Sequence, residues 1–346
     1  LRAAARLLMQ DRDALRTAFL RQAGWAAADL AWRPGDASFR RYARLTLDGA
    51  TAMLMDAPPP REDIRPFLSV GALFAAAGLS TPTAIAADVD AGFLLLEDFG
   101  DRTFTRLLDA GANPAPLYDL ATDALIQLRQ AMPDRPPGLP AYTAETRVAQ
   151  LSTVLDWLWP AVMDKPPSPA TRATFDALWL DALKRAPGLG CGVVHRDFHV
   201  DNLMRLDDRA GVQACGVLDF QDAAWGPFAY DLASLLEDAR RPLDPAIKAS
   251  CILRYRAAFP EFEAQAIAAA LAVHGGQRHM RVAGLWVRLW RRDGKPGYLK
   301  HMRRTWSLLE TSLAHPLLAD VAEFLDCALP ADARQRAIQL ESAAAR

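Results

Sequence analysis

The sequence predicts an α+β protein, with a small N-terminal β-sheet lobe that carries one helix and a larger, mainly helical C-terminal lobe. Apolar and polar residues alternate through 32–60, with a turn at Asp48–Gly49, which is typical of strands joined by a hairpin. Beyond Asp101 the chain has long Ala- and Leu-rich stretches at helical spacing, separated by proline-rich loops. Because 346 residues suffice for two lobes, we place them at 1–98 and 99–346.

The elements follow in order. The N-terminal stretch predicts an amphipathic helix, because Asp11 and Asp13 interrupt the Arg- and Ala-rich pattern of a transit peptide. A second helix is predicted at 63–79, followed by a strand pair with its turn at 90–92. The C-terminal part predicts helices at 117–132, 144–162 and 169–186.

Composition excludes several classes of protein. With 51% hydrophobic residues, 23% charged residues and a formal net charge of −1, the chain lacks the bulk positive charge typical of nucleic-acid binding. Its apolar runs are too short to cross a bilayer, so no membrane association is expected. The four cysteines form no CxxC pair. We therefore expect a cytoplasmic monomer with reduced thiols.

The segment VVHRDFHVDNLM, residues 193–204, concentrates polar residues between two apolar ends. Strand-like residues lead to His195 and Asp197, Asn202 follows five residues after Asp197, and a hairpin returns the chain to Asp219. Mg²⁺ prefers oxygen ligands, which Asn202 and Asp219 would supply together with substrate phosphates. Asp197 would then accept the proton of a hydroxyl that attacks a γ-phosphate.

Other interpretations of this segment stay open. His195 and His199 could be core histidines, and a His-Arg-Asp triplet alone is a weak signal. His195, Asp197 and His199 could also ligate the metal of a hydrolase, although no third histidine or acidic cluster completes such a site. The joint occurrence of the loop, the asparagine, the hairpin and the aspartate favours phosphoryl transfer.

HRDFHVDN and LDFQDA resemble the catalytic loop and the metal-binding segment of the kinase fold, in the form found in aminoglycoside and choline phosphotransferases. The resemblance implies a two-lobed, protein-kinase-like fold that uses ATP and Mg²⁺, with the nucleotide between the lobes. It also implies that Asp231, in WGPFAYDLASLL, braces the catalytic loop by hydrogen bonds. The candidate residues for the phosphate acceptor, next to these motifs, are His199, Asp201, Gln221, Asp222 and Trp225.

The nucleotide side departs from the kinase pattern. PGDASFRRY, residues 34–42, occupies the position of the glycine-rich loop with a single glycine. On the next strand the fold normally places a lysine, but AMLMDAP offers only Met53 or Met55, and no lysine precedes Lys165. The candidate phosphate-binding residues of this loop are Gly35, Asp36, Ser38 and Phe39.

An arginine could replace the missing lysine, with Glu62 as its partner. The candidate arginines are Arg40, Arg41 and Arg44. The alternative is a degenerate kinase that binds nucleotide without transferring phosphate, but the retained Asp197, Asn202 and Asp219 favour an active enzyme. Adenine would be bound by backbone groups of the hinge, whose acidic side chains could otherwise be surface charge. The hinge residues are Glu97, Asp98 and Phe99.

FRRY, LMDAPP, LLEDFGD, HRDFHVDN and LDFQDAAWGPFAYDLASLLEDAR resemble the bacterial cell-wall-recycling kinases that phosphorylate the anomeric hydroxyl of N-acetylmuramate and N-acetylglucosamine. A kinase of another small alcohol or amino sugar, of the aminoglycoside or choline type, is the alternative, as is a pseudokinase. The segment from Leu271 to Glu310 contains nine Lys and Arg residues but two acidic residues. This excess of positive charge would repel a polycationic aminoglycoside.

An arginine of this segment could clamp the lactyl carboxylate of N-acetylmuramate. The same charges could instead be solvated helix faces. Trp286 and Trp290, one turn apart, could form a sugar-stacking wall or belong to the core.

Overall fold

The structure, a computed structural model, describes residues 2–34 and 39–344, and the chain packs as two compact units. Unit 1 comprises Leu1–Ala110 and Asn202–Asp222, and unit 2 comprises Gly111–Asp201 and Ala223–Arg346. These units depart from the lobes 1–98 and 99–346 in two segments, 99–110 and 202–222, which pack with the N-terminal sheet. Backbone hydrogen bonds hold these segments: the Val217 N–H donates to the Ser80 carbonyl at 2.7 Å, and the Arg205 N–H, which donates to the Arg102 carbonyl at 2.9 Å, joins the two segments to each other.

A five-stranded antiparallel sheet forms the centre of unit 1, in the order β1-β2-β3-β5-β4. Its strands are β1 (Asp29–Trp32), β2 (Arg41–Leu47), β3 (Ala50–Asp56), β4 (Ala84–Asp88) and β5 (Phe93–Glu97). β2 and β3 form the predicted hairpin. Asp48 and Gly49, in its two-residue turn, have φ angles of 49° and 84°, the left-handed backbone that such a turn requires.

Helices and a second hairpin complete unit 1. They are α1 (Arg2–Gln22), α2 (Arg65–Ala76), α3 (Phe104–Asp109), β7 (Leu203–Arg205) and β8 (Cys215–Val217). The predicted N-terminal helix is present, and its Phe19 and Leu20 pack in one apolar cluster with Leu45, Leu54 and Phe93 of the sheet. β7 and β8 are antiparallel, as predicted, and a short 3₁₀ turn, Gly211–Ala214, precedes β8.

Unit 2 is mostly helical. Its helices are α4 (Pro114–Ala131), α5 (Ala144–Gln150), α6 (Trp159–Met163), α7 (Pro169–Arg185), α8 (Ala229–Leu236), α9 (Pro245–Ala258), α10 (Ala264–Asp293), α11 (Met302–Leu313), α12 (Ala319–Ala328), α13 (Ala331–Ile338) and α14 (Leu340–Ala344). A short π-helix, Val154–Leu158, lies between α5 and α6, so the predicted helix 144–162 is interrupted. The 30-residue α10 contributes Val273, Met280 and Trp286 to the main apolar core.

A two-stranded sheet in unit 2 presents the segment of greatest functional interest. β6 (Cys191–Val194) pairs antiparallel with β9 (Ala224–Pro227). Gly192 is needed in β6, because a Cβ atom there would lie 1.8 Å from the ring of Phe228. Phe228 immediately precedes α8, so the close approach fixes the end of β6 beside the start of that helix.

Two expectations from composition concern the cysteines and membranes. Cys191, Cys215, Cys251 and Cys327 are all unpaired thiols. Among the helices in residues 2–34 and 39–344, none combines the length and the apolar character needed to span a membrane.

Candidate active site

The loop after β6 is held by one buried carboxylate. The Oδ2 atom of Asp231, in the first turn of α8, accepts a hydrogen bond from the His195 N–H, and its Oδ1 accepts one from the Arg196 N–H at 2.9 Å. Arg196 has a φ angle of 78°, a strained conformation for a non-glycine residue that these bonds hold in place. Asp231 therefore braces the loop, as the sequence predicted.

Asp197, the predicted base, follows this brace directly. Its own N–H donates to His195 Nδ1 at 3.3 Å, and the buried His195 ring packs edge-on against Phe198, 5.7 Å between centroids. His195 thus has a core position, as one interpretation held, and it also orients the backbone of the predicted base. The Asp197 side chain is 40% exposed.

Two arginines of α10 set the charge state of Asp197. Arg278 Nη2 lies 3.8 Å from Asp197 Oδ1, and the charge of Arg281 also acts on this carboxylate. Desolvation of the carboxylate raises its pKa, but Arg281 and then Arg278 outweigh it, so the pKa of Asp197 lies well below its usual range. Arg281 is in turn fixed by its Nη1–H, which donates to the Tyr230 hydroxyl at 3.1 Å.

This role of α10 was missed in the sequence. The sequence shows Arg278 and Arg281 only as members of a basic segment, and the available signal is their spacing of three residues, which puts both on one helix face. Other members of that segment are solvated charges on helix faces, which is the alternative interpretation of the basic segment. Arg291 and Arg292 are both exposed.

Asn202 and Asp219, the predicted metal ligands, are brought together in unit 1 by the β7–β8 hairpin. Leu203 pairs with Val217, and beyond that pair the Leu218 N–H donates to the Asn202 carbonyl at 2.9 Å. Asp219 has a φ angle of 59°, a left-handed conformation that turns its backbone out of the hairpin. Its exposed side chain accepts a hydrogen bond from Gln221 Nε2 at 2.9 Å.

The donor chemistry of this pair fits Mg²⁺. An amide oxygen and a carboxylate oxygen are hard ligands, and Mg²⁺ is commonly held by one or two protein groups with phosphate and water completing its shell. Within residues 2–34 and 39–344 no group of three or more His, Cys, Asp or Glu side chains could hold a metal ion. The hydrolase-type metal site of His195, Asp197 and His199 is therefore absent from the described part of the chain.

Arg40 is paired with Glu62. Its Nε donates to Glu62 Oε2 at 2.9 Å, and the two side chains are only 14% and 13% exposed. Arg40 also hydrogen-bonds the half-buried Tyr42 side chain, and the pKa of Arg40 is raised, against desolvation, by Tyr42, Glu62 and the carboxylate of Asp219. The pairing expected of a lysine substitute is thus present, although Glu62 precedes α2 and does not lie within it.

The other two candidate arginines have different partners. Arg41 Nη2 donates to Asp56 Oδ2 at 2.8 Å, with its guanidinium 4.3 Å from the Trp32 ring. Arg44 binds acidic residues at the end of the sheet, with Nη1 2.6 Å from Asp101 Oδ2 and Nη2 2.8 Å from Asp98 Oδ1. The carboxylate of Asp219 helps to raise the pKa of Arg40.

The predicted hinge side chains are engaged within unit 1. Glu97 pairs with Arg209, whose guanidinium lies 5.0 Å from the Phe99 ring, and Asp98 pairs with Arg44. The Glu97 N–H donates to the Thr83 carbonyl at 2.8 Å. Side chains here are therefore structural, and adenine contacts would fall to the remaining backbone groups. Exposed Phe39 is described, whereas Gly35, Asp36 and Ser38 lie outside the described residues.

The predicted acceptor residues separate into two sets. Gln221 and Asp222 belong to unit 1, where Gln221 supports Asp219. His199, Asp201 and Trp225 belong to unit 2. Trp225 is a half-buried member of β9, whose N–H donates to the Pro140 carbonyl at 2.7 Å.

Trp286 does not form a sugar-stacking wall. It is 1% exposed, stacks on Tyr298 at 5.4 Å and donates through Nε1 to Thr305 Oγ1 at 3.0 Å, so it is a core residue. Trp290 is partly buried against the same core.

Comparisons with known proteins agree with this geometry. Residues 29–266 match the model of the Phosphotransferase enzyme family. The chain is 33% identical over 363 residues to an N-acetylmuramate/N-acetylglucosamine kinase of Caulobacter vibrioides, covering 95% of this chain and 99% of that one. It is 36% identical over 314 residues to a kinase of the same name from Pseudomonas aeruginosa, covering 87% and 90%.

Among solved structures, a choline/ethanolamine kinase family protein from Mesorhizobium loti is similar with a TM-score of 0.61 at 12% identity, covering 91% of this chain and 99% of that one. At this identity the likeness concerns the fold alone. It confirms the predicted kinase-like α+β class.

Proposed function

Because this chain belongs to the phosphotransferase enzyme family, we propose that it is an ATP-dependent sugar kinase that phosphorylates the anomeric hydroxyl of N-acetylmuramate and N-acetylglucosamine. The products would be the sugar 1-phosphates, and the reaction would serve peptidoglycan recycling. The substrate class is supported by the names of the relatives, which are 33–36% identical over most of the chain. The anomeric position is supported by the resemblance of the quoted motifs.

The observation that carries the proposal is the geometry around Asp197. Its carboxylate lies 3.8 Å from Arg278 on a loop fixed by Asp231, and is thereby a pre-oriented acceptor for a hydroxyl proton. In phosphoryl transfer the protein contributes mainly positioning and charge stabilisation, so a low pKa suits a group that orients the nucleophile and takes its proton late.

In the proposed step, the γ-phosphoryl group passes from ATP to the anomeric oxygen. The anomeric oxygen forms a bond to the γ-phosphorus, the bond from that phosphorus to the β–γ bridging oxygen breaks, and ADP leaves with the bond's electrons. The hydroxyl proton passes to Asp197. His195 keeps the loop in register through its Nδ1, which accepts from the Asp197 N–H at 3.3 Å.

Asn202 and Asp219 would hold Mg²⁺, and Gln221 would keep the Asp219 carboxylate oriented through its 2.9 Å hydrogen bond. When bound, the ion supplies positive charge to the β- and γ-phosphate oxygens. Arg40, paired with Glu62, would take the place of the usual lysine on the nucleotide phosphates. An arginine keeps its charge at any pH of interest and can make two parallel contacts to a phosphate.

The acceptor sugar would be held in unit 2 by His199, Asp201 and Trp225, together with Asp197. His199 is 5% exposed and has a pKa far below its usual value, because of burial first and the charge of Arg240 second. It is therefore neutral at pH 7, a state suited to hydrogen bonds with sugar hydroxyl or amide groups.

The proposal is tested with a substrate panel. Purified protein is mixed with Mg-ATP and N-acetylmuramate, N-acetylglucosamine, glucose, choline or kanamycin, while ADP release is followed, with the Asp197→Asn protein as the control. We expect turnover on the two N-acetylated sugars alone. Turnover confined to choline or kanamycin would contradict the substrate class, and nucleotide binding without turnover on any acceptor would point to a pseudokinase.

A further inference from the structure

A cluster of nitrogen-bearing side chains lies next to the loop after β6 in unit 2, and one of them, Arg240, has no part in the proposed transfer of phosphate. The cluster consists of Arg240, which follows α8, His199 of the loop and Arg278 of α10. Arg240 is positioned from several sides: its N–H donates to Asp238 Oδ1 at 2.8 Å, and its guanidinium lies 5.3 Å from the Trp286 ring. The side chain is therefore preorganised, and 30% of it is exposed.

Asp201 and Asp238 lie near the Arg240 guanidinium, but neither carboxylate forms a close ion pair with it. Asp201 Oδ2 is 3.5 Å from Nε and Asp238 Oδ1 is 4.0 Å from Nη1. Charge-assisted pairs are ordinarily about 2.7–2.9 Å long, and Arg254 in the same unit binds Asp123 at 2.5 and 2.7 Å. The Arg240 guanidinium is held in place and keeps capacity for a planar anion.

Two buried donors beside it point to a ligand. Arg240 Nη1 donates to His199 Nε2 at 3.2 Å, which assigns the proton of this neutral histidine to Nδ1. His199 Nδ1 and Arg278 Nε are both buried without a hydrogen-bond partner, in side chains 6% and 4% exposed. Buried donors are normally satisfied, so this arrangement favours an acceptor supplied by a substrate.

The neighbourhood of Arg240 contains both cations and acids. Burial, then Lys300 and Arg240, lower the pKa of His301 to about 4, against the charge of Asp201. Arg304 Nε donates to the Asp238 carbonyl at 2.9 Å. Arg240 is 30% exposed, so its guanidinium is within reach of the carboxylate of a ligand.

We propose that Arg240 binds the lactyl carboxylate of N-acetylmuramate and so determines the preference between the two amino sugars. The inference rests on the proposed function, and it adds a selectivity residue to it. N-acetylglucosamine lacks this carboxylate, so its binding uses the cluster only through the shared sugar groups. Asp197 and His199 stand two residues apart in the loop, which places the carboxylate site beside the phosphate acceptor site within one unit.

The test crosses variants with substrates. The wild type, Arg240→Ala, Arg240→Lys and Arg291→Ala are assayed for kcat/KM with N-acetylmuramate, its methyl ester and N-acetylglucosamine. Arg291 is the matched control, since its guanidinium also lies over an indole ring, 5.0 Å from Trp290, but on the exposed side of α10.

We expect Arg240→Ala to lower kcat/KM for N-acetylmuramate by about ten- to a hundred-fold, the effect of one charge-assisted contact. The methyl ester and N-acetylglucosamine should change by less than about threefold, Arg240→Lys should lie between, and Arg291→Ala should match the wild type. Equal losses on all three sugars, or no loss on any, would overturn the role of Arg240.

Binding measured by calorimetry separates this inference from the proposed function. N-acetylmuramate should bind the wild type more tightly than its ester does, and Arg240→Ala should abolish that difference even if no phosphate is transferred. Failure of the proposed function would appear as absent turnover by the wild type on both sugars. The inference alone would fail if Arg240→Ala still transferred phosphate and still bound N-acetylmuramate more tightly than its methyl ester. In that case the thermal midpoint of the variant would also be unchanged.

Discussion

The loop after β6 in unit 2 and the segment before β2 in unit 1 fix their charged side chains in different ways. In the loop, His195 and Asp197 stand in one short segment, and one carboxylate, Asp231, holds its backbone. Arg40, just before β2, pairs with Glu62 only after the chain has passed through β2 and β3, 22 residues later. The first arrangement is local in sequence, and the second depends on tertiary packing.

This difference explains where the sequence departs from the kinase pattern. A loop whose backbone is strained, as at Arg196 with a φ angle of 78°, tolerates few substitutions. A cation needs only to reach the phosphates, and long side chains on neighbouring strands can do so from more than one position. We therefore expect the most severe losses from the loop and graded losses from the sheet.

The largest expected effect is that of Asp197→Asn. The amide cannot accept the hydroxyl proton, so we expect kcat to fall by about 10³- to 10⁴-fold, while the Kd for ATP, measured by calorimetry, changes by less than about threefold. A variant that kept a tenth of the activity would contradict the assignment of Asp197 as the base.

The second effect tests Arg40 as the arginine that binds the nucleotide phosphates. Arg40→Ala should lower kcat/KM for ATP by about a hundred-fold, as expected for loss of a buried phosphate contact, and Arg40→Lys should restore part of it. Arg41→Ala is the matched control, because Arg41 is its neighbour in sequence but pairs with Asp56. Equal kinetics for Arg40→Ala and Arg41→Ala would remove Arg40 from the nucleotide site.

A smaller effect tests the control of charge in the loop. The pKa of Asp197 is depressed, so the carboxylate stays ionised as the pH falls. Arg281→Met removes the strongest of the charges that lower it, so the acid limb of the kcat/KM profile should move to higher pH, whereas the activity at pH 7, where the carboxylate stays ionised, should change little. Arg291→Met on the same helix should leave the profile unchanged. A profile for Arg281→Met that superimposes on the wild type would show that Arg281 does not act on Asp197.

The smallest expected effect on activity comes from Glu237, just after α8, whose contribution is to stability. It accepts hydrogen bonds from Lys248 Nζ at 2.6 Å and His279 Nε2 at 2.8 Å. Burial raises the pKa of Glu237, but His279 and Lys248 lower it more, to about 2. Glu237→Gln should reduce the free energy of unfolding by about 3 kcal/mol at pH 7, measured with urea.

The pH dependence of that loss follows from the depressed pKa. The stabilisation by Glu237 is fully present above its unfolded value of 4.5 and disappears as the pH falls through about 2, so wild type and variant should converge in this window. Asp123→Asn, which breaks an exposed pair with Arg254, should cost less than about 1 kcal/mol. Equal losses for both variants would refute the special role of the buried pair.

The sequence predicted most elements of the fold because they have clear local signals: the Asp48–Gly49 turn, the alternation in the sheet and the Ala- and Leu-rich helices. It also predicted the brace by Asp231 and the adjacency of Asn202 and Asp219, since strand pairing follows directly from a hairpin. It did not predict that 202–222 packs with the N-terminal sheet, which rests on single backbone bonds such as that from Val217 to Ser80.

The charge partners of Asp197 were also beyond the sequence. Arg278 and Arg281 lie some eighty residues downstream, and only packing of α10 brings them to the loop. The choice of Arg40 among three arginines likewise requires their side-chain partners, because all three lie in the short stretch 40–44, Arg40 just before β2 and the other two within it. Long-range pairs of this kind leave no periodic signal in a single sequence.

The most direct test of the account is the position of the transferred phosphate. The product of N-acetylmuramate and Mg-ATP is examined by phosphorus NMR with detection of the coupling to sugar protons. We predict a phosphate coupled to the anomeric proton, formed by the wild type and absent with Asp197→Asn. A phosphate coupled to another sugar proton, or an equal yield from the two proteins, would contradict the proposal.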